Sequence, residues 1–172
     1  MSLLDDLDGK IEEEKQLSIK NDACMEEMLD NITNEYEAFK GFYGKETTDS
    51  PTYLTDFVDA CFKKEVNFPI TPRAIINFIN ECEIKKNFIH LDKYITVLIQ
   101  NSFKQGHNDF DLPIPIIKDE KAQIGGYYFG YNCLCGEKDN PINITAKGDY
   151  SMFYLKGLNY ANMRIITSGK YC

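Results

Sequence analysis

Cys133 and Cys135, one residue apart, are the sharpest chemical feature of the sequence. Thiolates are good soft-metal ligands, and Cys172 or His107 would complete a zinc-like set. The spacing argues against it, because structural zinc sites use Cys-x₂₋₄-Cys units in pairs and no second pair occurs. Alternating cysteines on a strand share one face, where small thiols pack inward as apolar groups. His90 and His107 are the only histidines. His107 lies between Gly106 and Asn108-Asp109, where an imidazole would hold a base near neutral pH. A loop histidine more commonly only bonds to backbone. No Gly-rich phosphate loop opens a helix, and no Gly-x-Ser-x-Gly elbow, His-Glu-x-x-His pair or nucleophile–base pair is present. The sequence therefore predicts no catalytic residue and no cofactor, with Cys133, Cys135 and His107 as the metal candidates.

Composition bounds what could position such groups. The 172 residues are 43% hydrophobic with 11 Phe and 11 Tyr, enough for a sizeable core in one domain or two small units. No apolar run is long enough to cross a membrane. Met1 to Leu3 reads as an expression leader, and the acidic N-terminus lacks a basic-then-apolar signal, so the expectation is a cytoplasmic protein with reduced thiols. Charge is lopsided: residues 1–50 hold 14 acidic residues against 5 lysines, and the whole chain has two arginines, Arg73 and Arg164. That balance lacks the basic footprint of a nucleic-acid binder.

The first 106 residues read as an acidic helical region. Leu4, Leu7 and Ile11 fall at helical spacing, and a second helix is expected from Asn21 or Asp22, ending at Gly41 and Gly44. Its stripe of Met25, Met28, Leu29, Ile32, Tyr36 and Phe39 faces a core, while Glu26, Glu27, Asp30 and Glu37 lie opposite. That acidic face is either a solvated exterior or a docking surface for a basic partner. Ser50-Pro51 and Thr71-Pro72 are start signals for two more helices. The first carries Leu54, Phe57, Val58, Cys61 and Phe62; the second carries Ile75, Ile76, Phe78, Ile79 and Cys82. A helix over about 92–105 carries Ile95, Leu98, Ile99 and Phe103, with Gly106 as its left-handed cap. The helices over 51–105 mimic a helix-turn-helix in shape, but Asn77, Asn80 and Glu81 would read DNA with hardly any basic support.

From 107 to 172 the composition turns to Gly, Tyr and Ile. Pro113 and Pro115 exclude a helix interior, and Ile114, Ile116 and Ile117 suit an edge strand. Gly136 and Gly157, Gly148 and Gly169, Ile142 and Met163, Ile144 and Ile165, and Tyr150 and Tyr171 are each 21 apart. A fixed period of this kind marks a stacked repeat. Three passes can be written, from Leu112, from Asn140 and from Ala161, the last stopping mid-repeat at Cys172.

The block Gly148-Asp149-Tyr150, Tyr154 to Gly157, Met163 to Ile166 and Gly169 resembles the GXGXG-type right-handed β-helix repeat. That repeat occurs in the C-terminal domain of the glutamate synthase large subunit, in one of the subunits of formylmethanofuran dehydrogenase and in small archaeal proteins of unassigned function. The resemblance covers about residues 112–172. Phe153 departs from it where a Gly is usual, as do an Asp119-Glu120-Lys121 insertion and Lys170 in place of an acid. It implies a short right-handed β-helix of about three coils with a structural role and no active site; with the helical region packing on it or capping it, the expected fold is α+β. The competing expectation for the same stretch is a Tyr-rich antiparallel sandwich.

Together these readings predict a non-enzymatic interaction or assembly scaffold, with Tyr127, Tyr131, Tyr154 and Tyr160 on its exposed face. The expected partner is a second copy of the chain, forming a homodimer, or another protein subunit, and neither nucleic acid nor membrane. The alternatives are an enzyme or ligand-binding subunit with a pocket near His107, Asp109 and Cys133, and an acidic partner-docking regulator acting through residues 1–40.

Overall fold

The structure is a computed structural model that describes residues 3–43, 65–85, 91–113, 135–148 and 160–167. Within them the order is α1 (Leu3–Tyr43), α2 (Pro72–Lys85), α3 (Leu91–Lys104), β1 (Asp109–Pro113), β2 (Ile142–Gly148) and β3 (Ala161–Thr167). No helix among these residues is long and apolar enough to cross a membrane.

The expected break near Asn21 is absent: α1 is one continuous helix of 41 residues. No proline interrupts 3–43, so a lone capping residue has no reason to end a helix whose hydrogen bonds simply continue. Met28, Ile32, Tyr36 and Phe39 are buried at steps of four, four and three, with Met25 and Leu29 partly so. Thr71 caps α2 as expected. Its hydroxyl accepts the Ala74 N–H at 3.2 Å, and its carbonyl accepts the Ile75 N–H. At the far end of α3, Gly106 has φ 97°, its N–H reaches the Phe103 carbonyl, and the His107 N–H reaches that of Ser102. These paired closures satisfy the last carbonyls of the helix and require a residue free to enter the left-handed region.

The C-terminal part overturns the expected solenoid. Its described strands form one parallel sheet in the order β1-β2-β3, neither closed nor curled. A solenoid encloses its own inner row. Here the apolar face of the sheet, with Phe110, Leu112, Ile142, Ile144 and Ala146, enters the same core as Ile32, Phe78 and Leu98 of the helices. The helical region therefore covers a sheet face rather than capping a coil. The antiparallel sandwich fails as well, since both strand pairings are parallel.

The 21-residue register is also corrected. Ile144 pairs with Met163 and Ala146 with Ile165, an offset of 19. Both registers keep the same faces because they differ by two, the side-chain period of a strand. The first strand begins at Asp109 rather than Leu112; Ile114, Ile116 and Ile117 lie outside the described residues, as does the helix expected from Pro51.

The opposite face of the sheet is polar. Asn162 donates to Asn143 at 2.9 Å, and Asn143 donates to Asp109 at 3.0 Å, across three residues in register. Lys147 pairs with Asp111 beside them. Such cross-strand pairs hold the register on a face that burial does not.

Candidate functional site

Helix α3 organises the interior, and in an unexpected way. Its sequence suggests one apolar face, but every residue from Tyr94 to Phe103 is buried, including Thr96, Gln100, Asn101 and Ser102. Buried polar groups must find partners. Three of these four have partners in backbone that belongs to no regular element.

Residues 65–70 cross α3 as an irregular run with one bend at Phe68. The Asn101 Oδ1 accepts the Val66 N–H at 3.1 Å. The Gln105 amide brackets the run, accepting the Ile70 N–H at 2.7 Å and donating to the Phe68 carbonyl at 3.1 Å. Ser102 donates to the Ile70 carbonyl at 2.8 Å. A helix face thus supplies the hydrogen bonds that a neighbouring strand would normally provide. We call this run the strap. Gln100 repeats the device on residue 135, accepting its N–H at 2.8 Å and donating to its carbonyl at 3.0 Å.

The strap's other side faces α1 across a cleft of about 590 Å³. From α1 come Cys24, Glu27, Met28, Asn31 and Glu35, whose steps of one, three and four residues place them along one flank. From the strap come Glu65, Asn67, Phe68 and Pro69. Met28 is shared with the core, and its sulfur accepts the Thr71 hydroxyl at 3.8 Å. The floor is apolar, and among the described lining residues the walls carry carboxylates and no basic group.

Behind the cleft, Tyr94 ties α1 to the other helices. Its hydroxyl donates to the Ile32 carbonyl at 3.0 Å, and its ring lies 5.2 Å from both Tyr36 and Phe39 and 5.7 Å from Phe78. Burial holds the Tyr94 phenol well above its ordinary range. Burial, reinforced by Glu81, pushes the Cys82 thiol up to about 12. Neither is a nucleophile at neutral pH.

The residues singled out in the sequence fare differently. Cys135 is half-buried with a free thiol directed at the Gly136 carbonyl, and its backbone is clasped by Gln100. His107 is half-buried, and its N–H closes the end of α3. Asp109 is exposed and accepts the Asn143 amide. Cys133, Tyr127, Tyr131 and Tyr154 lie outside the described residues. Tyr160 is 58% exposed with φ 48°, and its carbonyl accepts the Ile142 N–H. Among the described residues no group of three His, Cys, Asp or Glu side chains is placed to hold a metal ion.

The cleft is hard to foresee because residues 65–70 fall between two helix signals. Their alternation of Val66, Phe68 and Ile70 with polar neighbours or proline is the strand-like signal that marks them. The chain matches no protein-family model, no curated protein and no solved structure. Together with the open sheet, this corrects the resemblance to the GXGXG repeat and to the glutamate synthase domain.

Proposed function

We propose that the protein is a non-enzymatic interaction module that docks a basic partner protein through the acidic face of α1. The observation that carries this reading is the chemistry of the cleft flank, where Glu27 borders an apolar floor at Met28 and Glu65 faces it from the strap. Over its length α1 holds twelve acidic residues against four lysines. Carboxylates of one sign raise the local concentration of cations and speed the encounter with an oppositely charged surface. An apolar floor adds the non-directional attraction that charge alone lacks. The free thiols at Cys24 and Cys135 suit a reducing compartment, and we place the protein in the cytoplasm.

The test is fluorescence anisotropy of a lysine-rich peptide at low and high salt. A docking surface of this kind loses at least tenfold in affinity between about 20 and 500 mM salt, as the screening length shortens from roughly 20 Å to 4 Å. Affinity independent of salt, or no binding at low salt, would overturn the reading.

A further inference from the structure

An extended chain turns successive N–H and C=O groups to opposite sides. Residues 66, 68 and 70 turn theirs to α3 and the turn after it, where Asn101, Ser102 and Gln105 take them up. Asn67, which lies between them and lines the cleft, then turns its own N–H and C=O away from α3. Among the described residues, neither the N–H nor the C=O of Asn67 has a partner. One side of the strap is therefore satisfied by a helix, and the other is an open backbone edge inside a cleft.

We propose that this edge takes an extended basic segment of a partner protein by strand addition at Asn67. Alternate side chains of that segment then rest on Met28 and Phe68, and its lysines or arginines meet Glu27 and Glu65. Strand addition draws affinity from main-chain hydrogen bonds and specificity from what alternate side chains meet. An amphipathic helix would leave the Asn67 backbone unpaired, so the extended form is the one that uses every feature of the cleft. Neither Glu27 nor Glu65 has an ion-pair partner among the described residues, so both are available to a cation. This inference deepens the proposed docking function and rests on it.

The experiment uses two fluorescein-labelled hexapeptides of equal charge, one alternating lysine and valine, the other with three lysines followed by three valines. The full chain is expected to bind the alternating peptide about tenfold more tightly, since only that one matches the strap's period. Asn67→Pro removes the donor and keeps an extended backbone; it is expected to abolish this preference, whereas Asn67→Ala retains it. Glu27→Lys and Glu65→Lys are each expected to weaken binding about fivefold, and Glu137→Lys, on an exposed turn, to leave it unchanged. In the wild-type chain the Asn67 amide resonance shifts downfield on titration. Equal binding of both peptides, with Asn67→Pro unaffected, overturns strand addition but leaves charge-driven docking in place. Absence of binding by either peptide overturns both.

Discussion

Gly136 shows how much one hydrogen atom in place of a methyl can decide. A Cβ there would lie 2.4 Å from the Tyr160 carbonyl oxygen and 2.8 Å from the Ile142 nitrogen. Those two atoms are hydrogen-bonded to each other at 3.0 Å. Both belong to backbone, so no rotamer change relieves the clash. Gly136→Ala is expected to destabilise the fold by about 1–3 kcal/mol, read as a lowered urea midpoint. Gly41, with open space around it, is the control and is expected to accept alanine without loss. Cys82 sets a second expectation. Its folded pKa is raised from 9.0 to about 12, so the unfolded chain releases its proton first as pH rises. The stabilising contribution is complete below pH 9 and is lost between pH 9 and about 12. Tyr94, raised by burial, adds to the loss in the same direction. Chemical denaturation across that window should show stability falling, and Cys82→Ala should flatten the slope; an unchanged slope would remove Cys82 from the account.

At the scale of elements, burial separates the polar residues of helix α3 from those of the turn that follows it. Asn101 is 4% exposed, while Gln105 lies at the surface. Asn101→Ala leaves the half-buried Val66 N–H without its partner and removes the buried bond to the Val97 carbonyl, a loss of about 1–3 kcal/mol. Gln105→Ala admits water to both backbone groups and should cost less than about 1 kcal/mol. Thermal unfolding of the two variants checks the order. The same comparison explains what the sequence displayed. The stripe of α1, the Thr71-Pro72 start and the Gly106 stop were legible because each depends on neighbours within one or two turns. The polar residues of α3 were not, since Thr96, Gln100, Asn101 and Ser102 resemble a solvated face until their long-range partners are known. Strand positions in the C-terminal part were legible from their apolar alternation. The 21-residue spacing misled because glycines and tyrosines recurred near, but not at, the paired register of 19. A closed coil follows from that spacing alone, whereas the apolar face of the sheet is buried by helices.

At the scale of the whole molecule, a single buried cluster joins α1, α2 and α3 to the sheet, and the acidic charge gathers on the element that flanks the cleft. Long helix, strap and cleft form one arrangement. The strap's α3 side is satisfied by side chains, which leaves its α1 side available. Amide hydrogen exchange of residues 65–71 tests that account most directly, with and without the alternating lysine–valine peptide. The free protein should protect Val66 and Ile70, whose N–H groups are bonded to α3, while Asn67 exchanges freely. Adding the peptide should slow Asn67 and leave Val66 and Ile70 as they were. Free exchange at Val66 and Ile70, or an Asn67 amide untouched by bound peptide, would contradict it.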